Sequence, residues 1–179
     1  MKAILEPLLL GKARRTIGCY LLSEKQKLSC LSIGMTDQTI FEKILSGEIP
    51  SHEVGRGTNW YAFLDIFPRR EGHTLVVPRK AASHLSQLSD EQIAELFSGV
   101  KAVQQKLSKI FSTQDFTICL HDGPLAGQEV PHVHVHVIPR TSGDGGLNLM
   151  SMWPKTKPAS EPNHAKLAGL AKKIAEMTQ

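Results

Sequence analysis

His132-Val133-His134-Val135-His136-Val137-Ile138-Pro139-Arg140 decides how this 179-residue chain is read. A strand turns successive side chains to opposite faces. The run therefore puts three valines on one face and three imidazoles on the other, about 6–7 Å apart per two-residue step. The valines suit a buried sheet face. The imidazoles do not suit a solvated one, where Thr, Lys and Glu are the usual residues. Three polar rings side by side need partners or water to be tolerated.

Three readings of that face compete: a polar solvated surface, a zinc site in which alternate residues present imidazoles to one ion, and a site for an anionic substrate. In the last, one imidazole attacks a phosphorus or acyl centre while its neighbours orient it and move protons. The surroundings favour phosphate chemistry. No His-Glu-x-x-His pattern and no cysteine ligand pair stands nearby. Upstream lies Gly123-Pro124-Leu125-Ala126-Gly127-Gln128-Glu129-Val130, rich in small residues that let backbone N–H groups approach phosphate oxygens.

Working outward, Thr36-Asp37-Gln38-Thr39 reads as a helix start before apolar residues at helical spacing (Ile40, Phe41, Ile44, Leu45), and Gly47 and Pro50 end that pattern. Segments 61–66 and 73–77 read as strands joined by a five-residue turn. Ser89 with Gln92 makes a capping box. From there Ile93, Leu96, Phe97, Val100, Val103, Leu107 and Ile110 form one helical stripe. Segments 116–120 and 132–139 are two further strands, and 165–177 is a last amphipathic helix after a Pro- and Gly-rich tail. The expected fold is α+β, an antiparallel sheet with flanking helices.

The formal net charge of +4 suggests an acidic partner, but its position does not. Residues 1–34 hold six basic and two acidic side chains, so 35–179 holds fifteen of each sign. No basic cluster follows Met35, which argues against nucleic-acid binding. No apolar stretch approaches the 18 or so residues of a membrane span. The leader reads as a poorly ordered extension or an early start ahead of Met35; its two glutamates and four lysines weaken an organellar-import reading. Cys19, Cys30 and Cys119, an odd number without Cys-x-x-Cys spacing, point to a reducing compartment and a cytoplasmic protein.

The histidine run resembles the signature of the histidine-triad (HIT) superfamily, His-φ-His-φ-His-φ-φ with φ apolar, at every position from His132 to Ile138. The resemblance extends from residue 39 to residue 144 through Phe41-Glu42-Lys43-Ile44-Leu45-Ser46-Gly47-Glu48-Ile49-Pro50, Asp65, Gly72-His73-Thr74-Leu75-Val76-Val77-Pro78 and His121-Asp122-Gly123-Pro124-Leu125-Ala126-Gly127-Gln128. The last segment is most similar to the fragile-histidine-triad branch, which cleaves dinucleoside polyphosphates. The first looks more like the Hint and bacterial branches, several of which hydrolyse nucleoside phosphoramidates. The resemblance divides the chain into a leader (1–34), a HIT domain (35–144) and a C-terminal tail (145–179).

It implies a nucleotide hydrolase in which His134 attacks the α-phosphorus and forms a nucleotidyl-histidine that water then cleaves. His136 would contact the phosphate and the bridging atom, and His132 and His73 would hold the tautomers. Asp65 would accept from the ribose hydroxyls, with Ile66 beside it. Ile40, Phe41, Ile44 and Leu75 would line a slot for a purine base, although at least two of them are expected to be core. His121, Gln128 and the backbone of Gly127, Glu129 and Val130 would hold phosphate oxygens. The resemblance also implies a homodimer, no obligatory metal or cofactor, and a divalent cation only as the companion of a polyphosphate substrate. A nucleotide-binding module with little turnover and a metal-dependent hydrolase remain as alternatives.

Two positions depart from the family pattern. His121 stands where relatives carry Asn or Gln; an imidazole can donate there too, and a protonated one adds charge that favours activity at lower pH. Thr39 and Glu42 occupy the places of a Cys-x-x-Cys pair that binds structural zinc in some bacterial relatives, so that zinc site is expected to be absent.

Overall fold

In a computed structural model of the chain, residues 38–147 and 161–177 are described. The expectations for the leader, Met35, Cys19 and Cys30 fall outside these residues, as does most of the tail. Helix α1 (Ile40–Ser46) starts where its sequence says it should: the Glu42 N–H donates to the Thr39 hydroxyl at 3.2 Å, and the Thr39 N–H donates to the Glu42 carboxylate at 2.8 Å. This reciprocal cap satisfies two otherwise orphaned donors. Gly47, at φ +83°, ends the helix in the left-handed region that glycine adopts without strain.

Five strands follow: β1 (Glu53–Arg56), β2 (Trp60–Leu64), β3 (Thr74–Pro78), β4 (Phe116–Leu120) and β5 (Val135–Pro139). Between β3 and β4 runs the 22-residue helix α2 (Asp90–Phe111), capped by Ser89 and Gln92. All neighbouring strands are antiparallel, in the order β1-β2-β3-β5-β4. Leu96, Val100, Val103 and Leu107 on α2 are buried against Ala62, Val76, Val135 and Val137, so the valine face of β5 lies under the long helix. Phe97 and Ile110, at the margins of the expected stripe, are exposed. The opposite sheet face carries a second cluster of Phe41, Phe63, Leu75 and Val77, covered by α1. The histidines stand on that side.

The structure corrects four boundaries. Strand β2 stops at Leu64, leaving Asp65 and Ile66 in the connection to β3, and His73 just precedes β3. Strand β5 begins at Val135 rather than at 132. The Val133 N–H donates to Ala82 O at 2.7 Å and the His132 N–H to Val130 O at 2.8 Å, so these donors are spent outside the ladder. Strand β1 was not expected from the sequence; it is four residues long and contains Gly55 between charged ends. Helix α3 (His164–Ala175) ends two residues before the expected 177, and Leu167, Leu170 and Ile174 on it are exposed.

Leu96 and Leu170 separate core from tail. Leu96 is fully buried, so Leu96→Ala is expected to lower the unfolding free energy by about 2–5 kcal/mol. Leu170→Ala is expected to change it by less than about 0.5 kcal/mol. Urea unfolding of both variants, with the slope checked for constancy, measures the contrast.

Candidate active site

Strand pairing assembles the site. Register places His136 between Leu75 on β3 and Cys119 on β4. Paired residues share a face, so continuing both ladders by two residues puts His134 beside Val77 and His121. The His134 and His136 ring centroids are 5.0 Å apart, those of His73 and His136 5.1 Å, and those of His121 and His136 5.6 Å. His132 turns away from this row. It is completely buried, edge-on to Phe41 at 5.9 Å, and its Nε2 lies 2.9 Å from Pro78 O.

Hydrogen-bond partners determine where each proton sits. A carbonyl can only accept. His132 therefore carries its proton on Nε2, facing Pro78 O, and His134 carries its proton on Nδ1, which lies 2.7 Å from His132 O. That leaves the His134 Nε2 lone pair bare. On the other arm, the Arg69 N–H donates to His73 Nδ1 at 3.2 Å, so neutral His73 is protonated on Nε2 and donates to His136 Nδ1 at 2.9 Å. His136 then keeps its proton on Nε2. Two backbone carbonyls and one backbone N–H thus produce a nucleophilic nitrogen and an adjacent N–H donor.

Burial keeps the cluster neutral. Desolvation is the leading cause that holds His73, His132, His134 and His136 below the ordinary imidazole value. His136 is lowered furthest, to about 4, because His134, His73 and His121 add to the desolvation. The Asp65 charge opposes the trend but does not reverse it.

Asp65 lies beside this cluster. Its Oδ1 accepts from the Phe67 N–H at 2.8 Å and its Oδ2 lies 3.4 Å from His73 Nδ1. Each oxygen has more than one acceptor site, so the carboxylate retains capacity for hydroxyl donors. Asp65, His73 and His136 also form a group whose nitrogen and oxygen atoms lie within 4.8 Å of one another. Their arrangement suits a proton relay better than a metal. His73 Nε2 and His136 Nδ1 point at each other at hydrogen-bond distance, and His73 Nδ1 is engaged by Arg69.

The other residues expected at the site divide between core, border and surface. Phe41 and Leu75 are buried core, and Phe41 also meets His134 edge-on at 5.2 Å. Ile44 and Val130 border that cluster half-buried, whereas Ile40 and Ile66 are exposed and belong to neither core cluster. In the approach loop, the Gly127 and Gln128 N–H groups donate to Pro124 O and Gly123 O. The Gln128 side chain accepts from the Gly123 N–H at 3.0 Å and donates to Ser83 O at 2.9 Å. Gln128 therefore braces the loop while its amide keeps a second N–H beyond the one given to Ser83 O, and the Glu129 and Val130 N–H groups have no hydrogen-bond partner among the described residues. Arg69, which fixes the His73 tautomer through its backbone, had no sequence signal, because any residue except proline supplies that N–H. Thr39 and Glu42, at the positions of the bacterial zinc cysteines, spend their side chains on the α1 cap, with Thr39 Oγ1 3.5 Å from His132 Nδ1.

The HIT domain model matches residues 46–143, which include the whole histidine cluster. The chain belongs to the HIT family. Among curated relatives, this HIT protein is 36% identical to the adenosine 5'-monophosphoramidase of Schizosaccharomyces pombe, over 64% of this chain and 82% of that protein. It is 45% identical to the asymmetrical bis(5'-nucleosyl)-tetraphosphatase of the same organism over 49% of this chain, a match spanning about half (48%) of that relative. A crystal structure of a HIT family member from Bacillus subtilis superposes with a TM-score of 0.71 at 29% identity, over 80% of this chain and 99% of the other.

The neutral cluster has a consequence for stability. The folded imidazoles resist protons that the unfolded chain binds below about pH 6.5, so the unfolded state gains protons first on acidification. Stability should be complete above that pH and fall as pH drops toward about 4, by up to about 1.4 kcal/mol per pH unit for each such group. Thermal midpoints between pH 7.5 and 4.5 test this. His136→Asn should flatten the acid slope; a midpoint independent of pH would contradict the buried neutral cluster.

Proposed function

We propose that this HIT protein is a nucleotide hydrolase that acts at the α-phosphorus through a nucleotidyl-His134 intermediate. Its substrates are dinucleoside polyphosphates or nucleoside phosphoramidates. The single observation that carries the reading is the 2.7 Å hydrogen bond from His134 Nδ1–H to His132 O. It holds the imidazole in the one neutral tautomer whose Nε2 can attack.

In this mechanism the Nε2 lone pair forms a P–N bond as the bond to the leaving group breaks. His136 Nε2–H, set by the His73 relay, donates to the phosphate or bridging atom where negative charge builds. The Glu129 and Val130 N–H groups add donors from the loop. Asp65 accepts from the sugar hydroxyls, and the Phe41 edge keeps the nucleophile dry. Water then cleaves the P–N bond and releases the nucleotide. The lowered affinity of His134 for protons keeps its nucleophile free at mildly acidic pH. Strand β4 lies at the sheet edge with Ile118 exposed, which supports a homodimer formed along that side.

Incubation with diadenosine triphosphate and with adenosine 5'-phosphoramidate, each with and without chelator, tests the reading. Rapid acid-free quenching and intact-mass measurement should show wild-type enzyme carrying one nucleotidyl group, absent from His134→Ala. Turnover should fall by at least about 1,000-fold in that variant and be indifferent to chelator with the phosphoramidate. Loss of activity on chelation, restored by zinc alone, would replace this mechanism with a metal-dependent one. Tight nucleotide binding without turnover of either compound would make the chain a binding module.

A further inference from the structure

Beyond His136, the sheet face that carries the imidazoles runs into a cavity of about 170 Å³. Arg69, Arg70, Thr117, Ile138, Arg140 and Asp144 line it, and none of these side chains takes part in the chemistry assigned to the histidines. Ile138 and Thr117 pair across β5 and β4, two residues past the pair His136 and Cys119. They therefore share the histidine face and lie about 6–7 Å farther along it. Arg140 Nη1 donates to Thr117 Oγ1 at 2.8 Å, which lays that guanidinium over the same face. From the opposite flank the β2–β3 connection brings Arg69 and Arg70. Arg69 is already tied to the imidazole row, because its backbone N–H donates to His73 Nδ1 at 3.2 Å. The cavity thus adjoins the reacting centre.

Its charge is unbalanced. Three guanidiniums meet one carboxylate. Asp144 accepts from Arg140 Nε at 2.7 Å and Nη2 at 2.9 Å, and from Arg70 Nη1 at 2.5 Å. Arg70 Nη2 donates to Thr141 Oγ1 at 2.9 Å. A guanidinium has five N–H donors, so Arg70 retains donors, and its Nε is buried without a partner among the described residues. Arg69 is exposed, and its side chain makes no hydrogen bond or ion pair with any described residue. Glu71, next in the chain, is exposed on the surface. Cationic forks in excess, beside an aliphatic wall from Ile138, suit an oxyanion such as a phosphate. A small neutral amine gains nothing from them.

We propose that this cavity is the leaving-group subsite for an oligophosphate chain, holding the phosphates beyond the one that His134 attacks, with Arg69 in contact with them. The proposal rests on the hydrolase reading given above and selects dinucleoside polyphosphates from its two substrate classes. Negative charge builds on the departing chain as the P–O bond breaks, and the guanidiniums stand where it accumulates. A phosphoramidate places only its amine on that side and draws no such stabilisation.

Arg69→Ala tests the subsite, since it removes the side chain and keeps the backbone N–H that sets the His73 tautomer. It should lower kcat/KM for diadenosine triphosphate about 10-fold or more, at least about five times its loss on adenosine 5'-phosphoramidate. Any effect of the lost charge on His73 is common to both substrates and cancels in that ratio. Arg69→Lys should recover part of the difference. Equilibrium titration of His134→Ala should show diadenosine triphosphate binding more tightly than AMP, and adding Arg69→Ala should remove that advantage. Equal losses on the two substrates, or no loss on either, would overturn the proposal. So would a native mass that falls from dimer to monomer in Arg69→Ala, which would assign the cavity to a second copy of this chain. If wild type turns over neither compound, the hydrolase reading falls and the titration alone judges the subsite. An Arg69-dependent preference for diadenosine triphosphate would then uphold it, and equal binding of the two nucleotides would overturn it.

Discussion

The hydrogen bond from His134 to the carbonyl of His132 is the constraint on which the site depends. At 2.7 Å the carbonyl requires a donor. The opposite tautomer would set a lone pair against it and leave a buried acceptor unsatisfied, at a cost of about 1–3 kcal/mol, or a population ratio on the order of 10 to 100. That difference leaves the His134 Nε2 lone pair bare without any charged group to enforce it. The carbonyl is in turn fixed by the residue that bears it. His132 is fully buried, donates to Pro78 O at the end of β3, and lies against Phe41 behind the Thr39–Glu42 cap of α1. Helix capping, sheet register and side-chain tautomer are therefore one connected arrangement.

The same burial explains why the site handles an anion with little formal charge. Three imidazoles ionised within about 5 Å of one another would repel strongly in a poorly solvated setting. The fold keeps them neutral and relies on oriented N–H donors, which stabilise developing charge without being desolvated cations themselves. The net charge of +4 belongs to residues 1–34 and says nothing about this site. Arg140, just past the end of β5, and Arg70 are both committed to Asp144, at 2.7 and 2.5 Å, and tie that strand end to the β2–β3 connection.

Elements with local causes were legible in the sequence. The segment ending at Thr39 and the Ser89–Gln92 pair announced two helix starts, Gly47 announced one end, and the alternating Val133, Val135 and Val137 identified the face under α2. The histidines that converge were legible too, through their spacing and the family resemblance. What escaped depends on partners remote in sequence. Strand β1 exists because β2 supplies a ladder, and the histidine strand starts late because Ala82 O captures the Val133 N–H. Gln128 also braces its own loop, accepting from the Gly123 N–H and donating to Ser83 O, partners that its identity alone does not announce. The Arg69 N–H that sets the His73 tautomer is invisible at the level of residue identity.

Long-range 1H–15N correlation of the imidazole nitrogens at neutral pH reads the proton positions themselves. His134 should appear as the Nδ1–H tautomer with an unprotonated Nε2, and His73 and His136 as Nε2–H tautomers, with none of the three protonated. A His134 resonance pattern with the proton on Nε2, or an imidazolium at that residue, would contradict the tautomer on which the chemistry of this site rests.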